Sequence, residues 1–140
     1  MRKLTNDELN RKSVAEFRAS EKSPFLIVLD NVRSLNNVGS VFRTADAFLV
    51  EAVWLCGITA TPPHREIQKT ALGATESVEW KYFESSAEAV RLLKKSGYTI
   101  VSVEQAEGSV SLDRFATESG RKYALIFGHE IRGVTEEVVN

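Results

Sequence analysis

This chain has few cysteines and prolines and almost no net charge. It holds one cysteine and three prolines among 140 residues, so no internal disulfide can hold the fold together. The formal net charge is -1 and the isoelectric point is near 6.2, which gives no overall basic surface for a nucleic acid. No apolar stretch approaches the ~20 residues of a membrane helix, and the N-terminus lacks the apolar segment of a secretory signal. We therefore expect a cytoplasmic protein that would meet a nucleic acid through a local patch.

Several motifs that would indicate other functions are also missing. No group of cysteines and histidines has metal-ligand spacing, so no metal site is expected. There is no phosphate-binding P-loop, and no G-x-G-x-x-G follows the first apolar run, which disfavours a Rossmann-type nucleotide oxidoreductase. Cys56 lies in the apolar run AVWLCG, which favours a buried, unreactive thiol. What remains, 43% hydrophobic and 26% charged residues, is typical of one globular domain.

Hydrophobic periodicity predicts an alternation of strands and helices. The predicted strands are 25–29, 53–56, 80–83, 98–103 and 123–127, and the predicted helices are 5–20, 37–48, 65–72, 87–96 and one that begins near 135. Because strands alternate with helices, we expect a Rossmann-like α/β fold, a mostly parallel sheet with helices on both faces. Residues 1–24 are assigned to an N-terminal helical extension and residues 25–140 to the main domain.

Two of these helices carry local predictions. Thr5 and Glu8 have the spacing of a capping box, which would start the helix over 5–20. In the helix over 37–48, the apolar stripe is expected to end in Phe48 or Leu49 as a buried residue.

A polar turn follows the first predicted strand. Directly after the run FLIVLD, Asn37, Gly39 and Arg43 form the pattern N-x-G-x-x-x-R. Ligands of open α/β sheets bind at the carboxyl ends of the strands, so a site is expected here. Gly39 would allow a close backbone approach or a tight helix start, and the guanidinium of Arg43 suits a phosphate or a carboxylate. The spacing is equally consistent with Asn37 as a helix cap and Arg43 as a solvated side chain.

A second polar turn follows the last predicted strand. The segment LIFGHEIRGV places Gly128 and Gly133 on either side of Glu130. Such a loop brings backbone donors and acceptors close to a flat ligand and sets one carboxylate beside them. The alternative is a strand-ending turn with surface charges.

The two turns together resemble motifs 1 and 2 of the SpoU (TrmH-like) branch of the SPOUT RNA methyltransferases. The first motif is N-x-G-x-x-x-R before an Ala-rich, aromatic helix, here TADAF, and the second is G-x-E-x-x-G-V after a strand. The intervening KTALGATESV also resembles the family's segment after the second strand. The similarity spans residues 25–139.

The resemblance implies an enzyme that transfers a methyl group from S-adenosyl-L-methionine to a ribose 2'-hydroxyl of tRNA or rRNA. It also implies a homodimer and a C-terminal trefoil knot that holds the cofactor. The family's third motif, an I-P-M-x-G-type segment, is absent from these 140 residues. We therefore expect an incomplete knot and cofactor pocket, in a truncated enzyme rather than a natural inactive form. The alternative function is a non-catalytic RNA-binding module.

The resemblance further assigns roles to residues. Arg43 would steady the RNA phosphate and the developing alkoxide, since a guanidinium is a reluctant base. Glu130 would orient Arg43 or Asn37, or contact the cofactor, and Asn37 would fix the shape of its loop by hydrogen bonding. The catalytic set is thus Arg43, Asn37 and Glu130.

Two further sets of residues complete the predicted site. The expected cofactor-binding residues are Val103, Glu104, Gln105, Gly128, His129, Glu130 and Gly133. His129 is favoured as a loop residue over a base. The expected RNA-binding residues are Asn37, Arg43, Arg65 and Lys69, although Arg65 and Lys69, like His64, also fit a solvated loop.

Overall fold

The computed structural model describes residues 1–5, 7–9 and 11–139. Five strands form one sheet: β1 (Phe25–Asp30), β2 (Ala52–Cys56), β3 (Trp80–Phe83), β4 (Thr99–Val103) and β5 (Tyr123–Phe127). Their spatial order is β3-β2-β1-β5-β4, and every neighbouring pair is parallel. All five predicted strands are confirmed, and so is the parallel α/β sheet.

Six α-helices surround the sheet in the described part of the chain. They are α1 (Val14–Ala19), α2 (Leu35–Ala47), α3 (Arg65–Ala71), α4 (Ala74–Ser77), α5 (Ser86–Lys95) and α6 (Glu136–Val139). Short 3-10 helices occur at Asp7–Leu9 and Leu112–Arg114. No helix among the described residues is both long enough and apolar enough to cross a membrane.

The prediction of one helix over residues 5–20 was wrong. Glu8 does accept a hydrogen bond from the Thr5 backbone amide at 2.8 Å, but the turn it closes is only the 3-10 helix Asp7–Leu9. A new helix, α1, begins after Ser13, whose hydroxyl accepts a hydrogen bond from the Glu16 amide. Only Phe17 of this segment is buried, so little packing favours a continuous helix. Residues 6 and 10 of the prediction lie outside the described part of the chain.

Apolar side chains bury both faces of the sheet. Helices α1 to α4 cover one face, where Leu29, Val38 and Phe42 are fully buried. Helices α5 and α6 cover the other, where Val28 and Ile126 are fully buried. Each such side chain stabilises the fold by roughly 1.5–3 kcal/mol. The predicted placement of helices on both faces is confirmed.

The end of α2 differs from the prediction in one respect. Leu49, with φ of 54°, turns back toward the core and packs against it. Phe48 caps the helix and remains 71% exposed. Of the two alternatives for the end of the buried stripe, Leu49 is correct, because the helix ends at Ala47 and the chain reverses there.

The sheet order brings three loops to one edge. β1 lies between β2 and β5, and Leu29 is paired in register with Phe127. β5 in turn pairs with β4, where Val103 is aligned with Phe127. Because all the strands are parallel, the turns that follow β1, β4 and β5 leave the same edge side by side.

Candidate active site

Glu130 joins the two polar turns that the sequence singled out. Its carboxylate accepts hydrogen bonds from the backbone amides of Arg33, at 3.2 Å, and Ser34, at 2.8 Å. Ser34 is the N-cap of α2, so the carboxylate lies at the positive end of a 13-residue helix dipole. Burial acts to raise the pKa of Glu130, but the amide hydrogen bonds outweigh it, and the pKa lies below its ordinary value.

The expected contact of Glu130 with Arg43 or Asn37 is not formed. Among the described residues no hydrogen bond or ion pair joins Glu130 to either side chain. Its carboxylate instead accepts hydrogen bonds from the amides of Arg33 and Ser34, the two residues before α2. Arg43 lies farther along α2, roughly 12 Å from its first residue at 1.5 Å per residue. The structure therefore makes Glu130 a residue that fixes the start of α2.

Asn37 is not the helix cap that one interpretation of the sequence proposed. Its backbone amide donates to the hydroxyl of Ser34 at 3.2 Å, so Ser34 is the cap. The Asn37 side chain is exposed and makes no hydrogen bond within the described residues, so its expected bond within the loop is not formed either. Its amide is therefore available to a ligand.

Gly39 allows α2 and α3 to pack in direct backbone contact. A Cβ at this position would lie 2.0 Å from the Thr70 hydroxyl and 2.3 Å from the Ile67 carbonyl oxygen. Thr70 also donates a hydrogen bond to the Asn36 carbonyl at 2.9 Å. The predicted close approach at Gly39 is confirmed, and its partner is another helix.

This packing places Arg43 and Lys69 on one cleft, which we call the α2–α3 cleft. Its lining residues are Ser40, Arg43, Thr44, Ala47, Phe48, Lys69 and Thr70. Both cations are exposed, and Lys69 is paired with Glu66 at 2.9 Å. Of the four residues expected to bind RNA, Arg43 and Lys69 are thus brought together. Asn37 and Arg65 are exposed but do not line this cleft.

The loop after β5 is closed by its own backbone. The His129 amide donates to the Gly133 carbonyl at 3.0 Å, and the Gly133 amide donates to the His129 carbonyl at 2.8 Å. His129 Nδ1 accepts hydrogen bonds from the amides of Ile131 and Arg132. Gly133 has φ of 71°, and a Cβ on Gly128 would lie 2.1 Å from the Gly133 carbonyl carbon. The turn therefore requires glycine at both ends.

Glu104 links the end of β4 to this loop. Its carboxylate accepts hydrogen bonds from the amides of Val134 and Gln105, each at 2.8 Å. The Val134 bond and then the Gln105 bond lower the pKa of Glu104. The two segments expected to bind the cofactor, 103–105 and 128–133, are therefore adjacent. The expected contact of Glu104 with the cofactor stays a prediction for its backbone groups, since its carboxylate is occupied by protein amides.

A large, mainly apolar cavity lies beside the same strand ends. It has a volume of about 990 Å³, is partly open to solvent, and is lined by residues of β4, β5 and the segment 104–117, together with Phe25. Val103, Glu104 and Gln105 line it, together with Phe127. His129, Glu130 and Gly133 line smaller openings beside the turns after β1 and β5 instead. Six of the seven predicted cofactor residues thus line three separate openings, and Gly128 lines none of the three.

Sequence reasoning missed two residues that organise the site. Ser34 caps α2, and Asp30 is fully buried at the end of β1, where its carboxylate accepts a hydrogen bond from the Thr135 amide at 2.6 Å. The signal for Asp30 was present, because a charged residue ends an otherwise apolar run and a buried charge requires partners. No cluster of potential metal ligands occurs among the described residues.

Known proteins resemble this chain over most of its length. The 23S rRNA (guanosine-2'-O-)-methyltransferase RlmB of Vibrio vulnificus is 29% identical over 127 residues, which cover 91% of this chain and 50% of that protein. The RlmB protein of Escherichia coli is 30% identical over 116 residues, 83% of this chain and 46% of its own length. The chain thus spans about half the length of these curated relatives.

Solved structures and a family profile agree with the sequence comparison. The AdoMet-bound rRNA methyltransferase from Sinorhizobium meliloti matches with a TM-score of 0.76 and 24% identity, over 88% of this chain and 47% of that one. The A. aeolicus TrmH/SpoU tRNA modifying enzyme matches with a TM-score of 0.75 and 21% identity, over 94% of this chain and 66% of that one. These likenesses confirm the predicted SPOUT fold. Because the profile of the SpoU rRNA Methylase family matches residues 24–140, the chain belongs to that family.

Proposed function

We propose that the protein carrying this chain transfers a methyl group from S-adenosyl-L-methionine to a ribose 2'-hydroxyl of RNA. The observation that carries the proposal is the hydrogen-bonded junction of the two family motifs, in which Glu130 binds the amides of Arg33 and Ser34. Family membership supports it, as do relatives named guanosine-2'-O-methyltransferases and a structural neighbour described as AdoMet-bound. Both rRNA and tRNA belong to the proposed substrate class, since relatives of each kind occur.

The residues around the strand ends fit the proposed cofactor. The cavity of about 990 Å³ is within the range of small-molecule pockets, and its lining is mainly apolar. The glycines at 128 and 133 allow the second loop to pack against its own backbone and against the Glu104 carboxylate, which fixes its shape. Backbone groups of 103–105 and 128–133 would hold S-adenosyl-L-methionine, which supplies a methyl group on a positively charged sulfur. In this proposal Glu104 fixes the two segments to each other.

Arg43 is the proposed catalytic residue. A ribose hydroxyl is a poor nucleophile, so the site has to orient it and stabilise the alkoxide that develops. The Arg43 guanidinium is exposed on the α2–α3 cleft and makes no hydrogen bond among the described residues, so it is available for an RNA phosphate and that alkoxide. Lys69 would add a second phosphate contact. Asn37, exposed on the first turn of α2, would contact RNA through its amide.

A homodimer is also part of the proposal. It follows from the resemblance to the family and is supported by the exposed Phe48 beside Arg43, an apolar side chain that a second protomer would cover. Sedimentation of the full-length protein would test it, and a monomer at all concentrations would contradict it.

The proposed activity can be tested with the purified full-length protein. Labelled S-adenosyl-L-methionine is supplied with tRNA and rRNA fractions, and 2'-O-methylation is detected as a nucleotide linkage that resists alkali. Incorporation into one fraction is the expected result, and binding of the cofactor is measured by isothermal titration. RNA binding without cofactor binding would overturn the enzyme in favour of the non-catalytic RNA-binding module.

The role of Arg43 has its own test. Arg43→Ala is expected to lower methyl transfer on the order of 10²–10³-fold, by loss of transition-state stabilisation, while cofactor affinity is unchanged. Arg91→Ala is the matched control, since Arg91 is exposed on α5 across the sheet. Equal turnover of the two variants would refute the role of Arg43.

A further inference from the structure

Two arginines outside the predicted RNA-binding set flank the candidate site. Arg33 lies in the turn before α2, and Arg132 lies in the turn after β5. Both line one open cavity of about 580 Å³ at the edge of the sheet. Arg33 also lines the neighbouring opening beside Glu130, so it lies between this cavity and that opening.

The backbones of both arginines are held by adjacent residues. The Arg33 amide donates to the Glu130 carboxylate at 3.2 Å, and the Arg132 amide donates to His129 Nδ1 at 3.2 Å. The two cations therefore project from one hydrogen-bonded unit that contains both family motifs. Their main-chain positions relative to the site are fixed without use of either guanidinium.

The guanidinium groups themselves have no protein partner. Within the described residues neither forms a hydrogen bond or an ion pair, and both side chains are exposed. Arg2, Arg18 and Arg121 differ, since each is within 4 Å of a glutamate carboxylate. Glu136 is the acidic residue that lines the cavity with them. Two unpaired cations on one concave surface favour an anionic ligand, and a planar guanidinium fits phosphate oxygens.

We propose that Arg33 and Arg132 form a clamp for phosphates of an RNA strand, beside the site where the ribose is methylated. The proposal rests on the proposed function for the identity of the strand. It assigns the two arginines to positioning, because neither has to reach the reacting atoms. The clamp would hold the strand on one side of the turns while the α2–α3 cleft holds it on the other.

Salt-dependent RNA binding tests the clamp. The full-length protein is titrated into a fluorescein-labelled oligouridylate and into labelled tRNA, and fluorescence anisotropy is recorded at several salt concentrations. Arg33→Gln with Arg132→Gln should weaken binding several-fold. It should also reduce the slope of log K against log salt, by roughly 0.7 for each phosphate of a single strand that the protein no longer neutralises. Arg33→Lys with Arg132→Lys, which keeps the charge, should retain most of the slope.

One control variant and the activity of the wild type separate the clamp from the proposed function. Arg91→Gln removes an exposed arginine from α5 and should leave the slope unchanged. If the wild type binds RNA and transfers methyl groups while the Gln pair behaves like Arg91→Gln, the clamp is overturned and the function stands. If the clamp variants reduce RNA binding but the wild type binds no cofactor, the function fails and the clamp stands. Absence of RNA binding in the wild type would overturn both.

Discussion

At the scale of single residues, two exposed or half-buried carboxylates hold the candidate site in shape. Glu130 accepts hydrogen bonds from two backbone amides in the turn before α2. Glu104 accepts them from one amide in the loop after β4 and one in the loop after β5. Each carboxylate replaces a missing backbone partner at a point where a strand or a helix ends. The amide hydrogen bonds lower the pKa of both groups.

The depressed pKa of Glu130 predicts how stability changes with pH. A carboxylate whose folded pKa lies below its unfolded value stabilises the protein above the unfolded pKa, near 4.5, and loses this effect as the pH falls through the folded value. Glu130→Gln should therefore cost about 1 kcal/mol or less near neutral pH, because solvent screens an exposed charge. The cost should shrink below pH 4.5 in urea unfolding. Glu107→Gln, in an exposed loop, is the control, and a pH-independent cost would contradict this account.

The hydroxyl of Ser34 supports a second prediction. Ser34 and Ser85 are both N-caps, but only Ser34 accepts a side-chain hydrogen bond from its helix. Ser34→Ala should destabilise the protein by about 1 kcal/mol, whereas Ser85→Ala should cost clearly less. Paired urea denaturation curves would measure the difference, and equal costs would show that the Ser34 hydrogen bond contributes nothing.

The chemistry of the site could be predicted only in part from single residues. The spacing of Asn37, Gly39 and Arg43 indicated a polar turn and a close approach. The close approach at Gly39 is present, but all three residues lie within α2 and the turn precedes them. The partners of Glu130 could not be predicted, because they depend on where α2 begins and on the register of β1 with β5. A shift of the helix start from the expected residue 37 to Leu35 is enough to change which amides are free.

At the scale of elements, the contact between α2 and α3 is set by the absence of one side chain. A Cβ on Gly39 would lie within 2.3 Å of a backbone oxygen, which cannot move away as a flexible side chain would. Alanine normally stabilises a helix by about 1 kcal/mol relative to glycine. For an alanine at position 39, packing and helix propensity therefore have opposite effects on the free energy of unfolding.

Gly39→Ala is expected to destabilise the protein by about 1–3 kcal/mol, because overpacking outweighs helix propensity. It should also widen the α2–α3 cleft and separate Arg43 from Lys69. Ser40→Ala, at the exposed next position, is the control and should be neutral or slightly stabilising. A rise in unfolding free energy for Gly39→Ala would contradict the packing argument.

Elements with strong local signals were predicted best. Strands β1, β2 and β5 came from nearly continuous apolar runs, which are typical of strands covered on both faces. The N-terminal helix failed because its apolar stripe is thin and Ser13 offers a competing cap. Helix α5 has apolar residues at helical spacing before Gly97, and it was predicted to within one residue at each end.

At the scale of the whole molecule, Asp30 connects the centre of the sheet to the last helix. It is fully buried at the end of β1, and its carboxylate binds the amide of Thr135 just before α6. Asp30→Ala should cost about 2 kcal/mol or more, since it leaves a partly buried amide without its acceptor. Hydrogen exchange at Val138 and Val139 should accelerate, whereas Asp113→Ala in the exposed 3-10 helix should change neither. Unchanged exchange at α6 would show that Asp30 does not hold the helix.

The strand order also has a kinetic consequence. The hydrogen bond between Ser34 and Glu130 joins residues 96 positions apart, and the central strand β1 pairs with β5, which follows the other four described strands in sequence. Such long-range pairing slows folding, because a long loop has to close before its contacts form. While the ribosome is still making the segment before β5, β1 has an open edge beside it. The hydrogen-bonded junction at Glu130 can therefore form only after β5 and the turn that follows it have left the ribosome.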